Sequence, residues 1–253
     1  MSQDRVPDMR NSILRFYHRM NIEEGYIELQ KRIGYDFRDS AKLIKALSHS
    51  SYVNELKLSK HDDYERTEFL GDAVLELTVS EFLYENRPDM REGEMTKLRA
   101  SLVCEPTLAY CAREGMELGK YLLLGKGEDS SGGRGRDSIV SDVFEAIIGA
   151  IYLDGGIDAA KEFIHRFLLT DYEKKIEFVD SKTILQEYAQ NHGISLDYEL
   201  VEERGPEHDR DYVMRAKLGD KISETGCAKS KKAAQQNAAY AILKKHVNNT
   251  EMQ

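Results

Sequence analysis

Five acidic residues in two short segments have the spacing of a metal site. Glu65, Glu68 and Asp72 fall on one face of a helix, at about 100° per residue, and Asp142 and Glu145 stand one helical turn apart later in the chain. Because no histidine or cysteine lies among them, the pattern favours a hard cation bound through oxygen, either Mg²⁺ or Mn²⁺. Such a cation is what phosphodiester hydrolysis requires, since it activates the nucleophile and neutralises the leaving oxygen.

The ordinary explanation for acids on a helix is a solvated surface, and two observations weigh against it here. Glu68 and Asp72 are like charges at a spacing that destabilises a helix unless a cation joins them. Asp142 and Glu145 adjoin the apolar residues of 143–148, so their helix must be substantially buried. Acids beside a core need a counter-charge. Glu76 continues the first stripe and is interpreted as part of a solvated face.

The elements that position these acids are predicted to be helices. Apolar residues of the segment 64–84 recur at helical spacing and are expected to line its buried face: Phe69, Leu70, Ala73, Val74, Leu77 and Phe82. A second helix is predicted over 138–153, ended by Gly155 and Gly156. Between the two, the Gly- and Ser-rich segment 125–137 predicts a mobile surface loop. From Asn11 to Tyr172 the spacing is mostly helical.

After residue 180 the pattern changes from helical spacing to short alternating runs. The hydrophilic segment 173–180 has the composition of a linker. The elements predicted beyond it are a helix over 181–191, strands over 198–203, 212–218 and 221–225, and an alanine-rich helix over 229–246. The order α-β-β-β-α in a segment of this length predicts a small two-layer domain.

Charge is distributed unevenly between the two parts of the chain. Residues 181–253 contain 11 basic and 11 acidic residues, so the net charge of −9 resides entirely in residues 1–180. An acidic first part and a neutral second part with local basic clusters remain compatible with a polyanionic partner. The three cysteines match neither a disulfide framework nor a zinc site, and no apolar run approaches a membrane span. We therefore expect a cytoplasmic protein without membrane contact.

The residue order of the acidic segments resembles that of a known protein family. The stretch Glu65–Leu75, ERTEFLGDAVL, closely resembles the signature of the ribonuclease III family. Further segments resemble the family in the same order along the chain: 46–52, 92–93, 98–103, 142–150 and 152–154. Thr67 stands at a variable position of the signature, and Ser48 replaces the usual threonine.

The resemblance implies roles for individual residues. It implies a metal-binding set of four carboxylates, namely Glu68, Asp72, Asp142 and Glu145. Asp72 and Glu145 are the two catalytic residues that we expect to be indispensable. Glu65 and Glu92 would form an accessory acidic group, which positions substrate or borders the dimer. Phe69 would be a knob that enters a socket on a partner subunit, although a Phe on an apolar helix face more commonly belongs to the core of its own subunit.

Three segments of the second unit resemble a double-stranded RNA-binding domain: 183–190, 205–208 and 226–234. The side chains expected to contact RNA are Gln186, Gln190, His208, Lys229, Lys231 and Lys232. The lysines lie at a helix N-terminus, where they can meet phosphates across the deep groove of an A-form duplex. The glutamines and the histidine loop can reach 2′-hydroxyls in successive minor grooves. Such contacts recognise shape, so sequence specificity should be weak.

Together these observations predict a mostly α-helical endonuclease domain (12–172), a linker (173–180) and an α+β double-stranded RNA-binding domain (181–249). The resemblance implies a homodimeric, Mg²⁺-dependent endoribonuclease, with Mn²⁺ as a substitute, that cuts both strands of double-stranded RNA. It also implies 5′-phosphate and 3′-hydroxyl ends, and roles in processing ribosomal precursor and messenger RNAs. The alternatives are a catalytically inactive relative that only binds RNA duplexes, and a helical phosphohydrolase acting on small molecules. The presence of all four expected ligands weighs against the inactive relative. A phosphohydrolase acting on small molecules would leave the RNA-binding domain without a purpose.

Overall fold

The computed structural model describes residues 24–205, 210–228 and 230–247. Its first part is built from helices, which in chain order are α1 (described over 24–33), α2 (Ser40–Ala46), α3 (Ser50–Glu55), α4 (Glu65–Asn86), α5 (Glu92–Leu102), α6 (Glu105–Glu114), α7 (Lys126–Ser130), α8 (Asp137–Gly155), α9 (Ile157–Ile164) and α10 (Tyr172–Val179). The predicted helical fold of this part is confirmed. The predicted start of the domain at residue 12 lies outside the described residues.

Helix α8 runs through the core of the helical domain. Val143, Phe144, Ile147 and Ile148 are all fully buried, although they point to different sides of the helix. A helix that is apolar on nearly every side is stable only when other elements cover it. The helix predicted over 138–153 is therefore confirmed, and it ends where the glycines predict: Gly156 has a φ of 86°, which a side chain would disfavour.

Helix α4 is buried along a face that coincides only in part with the predicted one. Phe69, Ala73 and Leu77 were expected to be buried, but all three are exposed, Phe69 to 79% and Leu77 to 59%. Val74 is buried as predicted, and the other buried residues of α4 are Thr67, Gly71, Leu75, Thr78, Val79 and Leu83. The prediction was wrong for the three exposed residues because α4 carries apolar residues on two sides, and periodicity does not show which side meets the core.

The segment predicted as a mobile loop, 125–137, contains helix α7 and a short 3₁₀ turn at Gly133–Gly135. Arg134 ties it to the preceding chain, because its guanidinium donates to the carbonyl oxygens of Gly119 at 3.1 Å and Leu122 at 2.9 Å. The same side chain pairs with Asp129 at 2.7 Å. Glycine and serine content indicated a loop, but one arginine that satisfies several acceptors gives this segment a defined conformation.

The predicted linker, 173–180, is largely helical, since α10 covers Tyr172–Val179. Phe178 packs between the two parts of the chain, with ring centroids 4.7 Å from Tyr110 and 5.2 Å from Tyr240. Gln236 donates to the carbonyl oxygen of Phe178 at 2.6 Å. Composition could not reveal this helix, because its apolar contacts are supplied by residues far away in the chain.

Asp154, near the end of α8, anchors the connection between α1 and α2. Its side chain is 1% exposed. One carboxylate oxygen accepts hydrogen bonds from the Tyr35 hydroxyl at 2.9 Å and the Arg38 backbone at 2.8 Å, and the other pairs with Lys42 at 2.8 Å. These partners hold the pKa of Asp154 well below its usual range, against the opposing effect of burial. Asp154 is thus a structural carboxylate that is already neutralised by the protein.

The second unit has the predicted α-β-β-β-α order. Its elements are α11 (Ser181–His192), β1 (Leu196–Arg204), β2 (Asp211–Leu218), β3 (Ile222–Ala228) and α12 (Lys231–Ile242), which continues as a π-helical turn at Leu243–Val247. The strands form an antiparallel sheet in the order β1-β2-β3. A separate core forms between the helices and the sheet, around Leu185, Ala216 and Ile242. Gly226 permits close packing, because a Cβ there would lie 2.3 Å from the backbone nitrogen of Ala238.

Among the residues that the structure describes, none of the helices combines the length and the apolar character needed to traverse a lipid bilayer.

Candidate active site

Three carboxylates from two helices converge beside the core of the helical domain. Glu68 projects from α4, and Asp142 and Glu145 project from α8. Each offers a carboxylate oxygen, and these oxygens lie within 4.8 Å of one another. All three side chains are half-buried. This separation and this ligand type suit a hard divalent cation.

Asp72, the fourth residue of the predicted set, lies one turn beyond Glu68 on α4 and is exposed. It does not join the group of oxygens within 4.8 Å. It is still close enough for its charge to raise the pKa of Glu145, second only to burial. The structure therefore brings three of the four predicted ligands together and leaves Asp72 at the open side of the cluster.

Two glycines allow the carboxylate helices to cross this closely. A Cβ on Gly71 of α4 would lie 1.8 Å from the carbonyl oxygen of Glu145. A Cβ on Gly149 of α8 would lie 2.2 Å from the carbonyl oxygen of Thr67. Any side chain at either position would force the helices apart. The acidic cluster therefore depends on two residues that have no side chain of their own.

The electrostatics of the cluster favour the binding of a positive charge. Burial, followed by the charges of Asp72 and Glu68, raises the pKa of Glu145 to about 8. Burial, followed by the charges of Asp142 and Glu65, raises the pKa of Glu68 to about 7. In the described part of the chain no lysine or arginine forms an ion pair with the three clustered carboxylates. Carboxylates that repel one another in this way favour a bound cation, which replaces the protons.

Tyr64, the residue before α4, contributes a hydroxyl that the sequence analysis did not single out. The hydroxyl donates to Oδ2 of Asp142 at 3.4 Å. Burial and the nearby carboxylates hold the pKa of Tyr64 far above its ordinary value, so the hydroxyl stays protonated and remains a donor. Nothing in the local pattern indicates this contact, because the two residues are 78 positions apart. The one feature of the local sequence that singles out Tyr64 is its position directly before an acidic helix.

Of the remaining acids, Glu65 and Glu76 lie close enough to the cluster for their charges to raise pKa values within it, whereas no contact links Glu92 to the cluster in the described residues. Glu65 and Glu92 are exposed, at the first positions of α4 and α5. Glu76, interpreted from sequence as a solvated acid, is instead paired with Arg99 at 2.9 Å. Arg99 also donates to the hydroxyl of Ser80 at 2.8 Å. The charge of Glu76 contributes to the raised pKa of Glu145, and its pairing with Arg99 makes it a less suitable cation ligand than the clustered carboxylates.

Phe69 stands on the side of α4 that faces away from α8. Its side chain is 79% exposed, which excludes a place in the core of its own subunit. Leu77, two turns further along α4, is 59% exposed. Helix α4 therefore presents two large apolar side chains to solvent.

The predicted RNA-binding residues of the second unit are exposed where they are described. Gln186 and Gln190 lie one turn apart on α11, and Lys231 and Lys232 begin α12. Lys231 is already engaged, because its Nζ lies 3.1 Å from a carboxylate oxygen of Glu203. The predicted contacts His208 and Lys229 lie outside the described residues.

Comparison with known families gives two matches along the chain. The Ribonuclease-III-like family model matches residues 39–172. The model of the double-stranded RNA binding motif matches residues 181–246. The first match contains the carboxylate cluster, and the second contains the α-β-β-β-α unit.

Among curated proteins, ribonuclease 3 of Geobacillus sp. (strain WCH70) is 48% identical over 221 residues, which cover 86% of this chain and 89% of that protein. Ribonuclease 3 of Caldanaerobacter subterraneus subsp. tengcongensis is 47% identical over 221 residues, covering 86% and 96%. Among solved structures, the nuclease domain of ribonuclease III from Campylobacter jejuni is 40% identical, with a TM-score of 0.53 over 58% of this chain and 97% of that chain. That structure is described as flexible in the region involved in dimer formation.

Proposed function

We propose that this protein cuts both strands of double-stranded RNA with the help of a divalent cation. The premise is that the chain belongs to the ribonuclease III family of endoribonucleases, which act on double-stranded RNA. The cation would be Mg²⁺, with Mn²⁺ as a substitute, and Glu68, Asp72, Asp142 and Glu145 would hold it. The observation that carries this proposal is the convergence within 4.8 Å of three carboxylates that form no ion pair with a lysine or arginine of the described residues.

The chemistry of the ligand set supports the choice of cation. Carboxylate oxygens are hard ligands that suit Mg²⁺ and Mn²⁺, and the described cluster contains no histidine or cysteine that would favour zinc. When bound, such a cation lowers the pKa of a water molecule and neutralises charge on the scissile phosphate. Asp72 and Glu145 are the proposed catalytic residues: Glu145 anchors the buried side of the site, and exposed Asp72 borders the side from which RNA arrives. Glu65 and Glu92 are the proposed accessory acidic residues, which position the substrate or border the dimer.

The family resemblance supports the finer details of the reaction. The proposed products carry 5′-phosphate and 3′-hydroxyl ends, with a short 3′ overhang. The proposed natural substrates are ribosomal precursor RNA and some messenger RNAs, and the proposed location is the cytoplasm. Hydrolysis by water yields both product ends directly, without a covalent intermediate on the enzyme. No nucleophilic side chain is therefore required.

A homodimer is part of the proposal. One acidic cluster serves one strand, and a duplex break requires two clusters that face the two strands. A two-fold axis supplies the second cluster, because an isologous interface repeats every residue of the first. The exposure of Phe69 supports a place for this residue in that interface.

Incubation of the purified protein with a long RNA duplex tests the proposed function. In Mg²⁺ we expect short duplex products, and in chelator we expect binding without cleavage, because the carboxylates alone provide no activated water. Single-stranded RNA of the same sequence is the substrate control. Binding without cleavage in both conditions would favour the alternative, a catalytically inactive relative.

Replacing Lys231 and Lys232 with alanine is expected to weaken duplex binding and to flatten its dependence on salt. Each lost phosphate contact should reduce the slope of log K against log salt by somewhat under one unit. Since Glu203 already offsets part of the charge of Lys231, Lys232→Ala alone should cost more affinity than Lys231→Ala alone. Filter binding over a range of salt concentrations measures both effects.

The matched control for these lysines is Lys221→Ala with Lys244→Ala, which removes the same charge from exposed lysines elsewhere in the domain. An equal change of slope in the control would mean that the charge of the whole domain, and not the start of α12, carries the contact.

A further inference from the structure

Tyr64 connects the two helices that carry the carboxylates. Its side chain is 4% exposed, and its ring centroid lies 5.8 Å from that of His49. From this enclosed position the hydroxyl reaches across to α8 and donates to Oδ2 of Asp142 at 3.4 Å. A buried phenol has few rotamers available, so the position of its hydroxyl is defined by the packing of the ring.

Hydrogen bonds also fix the backbone of Tyr64. Its N–H donates to the carbonyl oxygen of Ser48 at 2.9 Å. Its carbonyl oxygen accepts from the N–H groups of Thr67 at 2.8 Å and Glu68 at 2.9 Å, and so forms the first turn of α4. One residue therefore contacts Asp142 through its side chain and the backbone of Glu68 through its carbonyl group.

The hydroxyl suits a residue that supports a cation site. Asp142 has two carboxylate oxygens, and a hydrogen bond to Oδ2 leaves Oδ1 available for a ligand. A neutral donor orients the carboxylate without adding a positive charge, whereas a lysine or arginine would compete with the cation. Hydrogen bonds of this kind to ligating carboxylates commonly tune metal affinity.

We infer that Tyr64 is a positioning residue for the cation site, whose hydroxyl orients the Asp142 carboxylate so that its second oxygen faces Glu68 and Glu145. This inference rests on the proposed function, because it assumes that the cluster binds a divalent cation. Tyr64 contacts neither the substrate nor the reacting atoms, and it acts through Asp142.

The test is Tyr64→Phe, which removes the hydroxyl and keeps the ring that fills the site. Calorimetric titration with Mn²⁺, without RNA, should show an affinity about tenfold below that of the wild type. In cleavage assays the Mg²⁺ concentration for half-maximal rate should rise by a similar factor. The rate at saturating Mg²⁺ should stay within about threefold of the wild type, because added cation restores occupancy.

The matched control is Tyr35→Phe, which removes another hydroxyl bonded to a carboxylate, that of Asp154 near the opposite end of α8. This variant should melt earlier in chelator but bind Mn²⁺ like the wild type. Equal Mn²⁺ affinity of Tyr64→Phe and wild type would overturn the inference and leave the proposed function intact. Absence of Mn²⁺ binding by the wild type would contradict the proposed function itself, and the inference with it.

Discussion

Glu145→Gln is expected to slow cleavage of duplex RNA in Mg²⁺ by about a thousandfold or more, while the variant binds RNA about as tightly as the wild type. An amide cannot replace the charge of a carboxylate at a Mg²⁺ site. Metal stabilisation of the transition state contributes several kcal/mol, and about 1.4 kcal/mol corresponds to a factor of ten in rate. Single-turnover cleavage and a gel-shift assay measure the two effects separately.

The control for Glu145→Gln is Glu85→Gln, the same chemical change at an exposed position of α4 away from the cluster. This control should cleave at the wild-type rate. Near-normal cleavage by Glu145→Gln would contradict the proposed role of Glu145 in holding the cation.

The pH dependence of stability gives an independent signature of Glu145. Because its pKa is raised from 4.5 to about 8, the folded protein holds a proton that the unfolded chain releases. The stability of the cation-free wild type should therefore fall as the pH rises from about 4.5 to about 8. Glu145→Gln should lose less stability over this range, because the raised pKa values of Glu68 and Asp142 still contribute. Melting curves in chelator across this interval provide the measurement.

The second large effect is expected from Phe69→Ala. In a two-fold dimer the substitution removes two phenylalanines, and burial of each stabilises association by about 1.5–3 kcal/mol. Dimer dissociation should therefore become at least about a hundredfold more favourable. Light scattering should show a mass that shifts toward the monomer on dilution, and the activity per subunit should fall with protein concentration.

Phe144→Ala is the contrasting variant, because Phe144 is completely buried in its own subunit. It should lower the free energy of unfolding by about 3–5 kcal/mol, and with it the melting temperature. The dissociation constant of the dimer should stay close to that of the wild type. Phe69→Ala creates no internal cavity in the subunit, since its side chain is 79% exposed. A Phe69→Ala protein that remains dimeric at the lowest measurable concentration would show that the interface lies elsewhere.

Several features could be predicted from the sequence because they depend on local patterns. The apolar surroundings of Asp142 and Glu145 on every side of their helix required α8 to be buried. The change from helical to alternating spacing after residue 180 predicted the α-β-β-β-α order, and each of the three predicted strands overlaps an observed one, although the third extends beyond its predicted end. The spacing of Glu68 and Asp72 indicated a shared helix face.

Other features were decided only by the tertiary structure. Periodicity could not select between the two apolar sides of α4, and the side that meets α8 is the one where Gly71 allows the backbones to approach. The exposure of Phe69 follows from that choice. The helix within 172–179 and the order of 125–137 depend on contacts with distant parts of the chain, which local composition does not record.

The geometry of the cluster combines both kinds of information. The types of the four carboxylates and their grouping in two segments are properties of the sequence. Their distances are not, because Glu68 and Asp142 meet only where two helices cross, and the crossing is set by small residues and not by the acids. The contact between Tyr64 and Asp142 spans 78 positions and follows from the same crossing. A linear pattern identifies residues that share a face, whereas packing decides which faces meet.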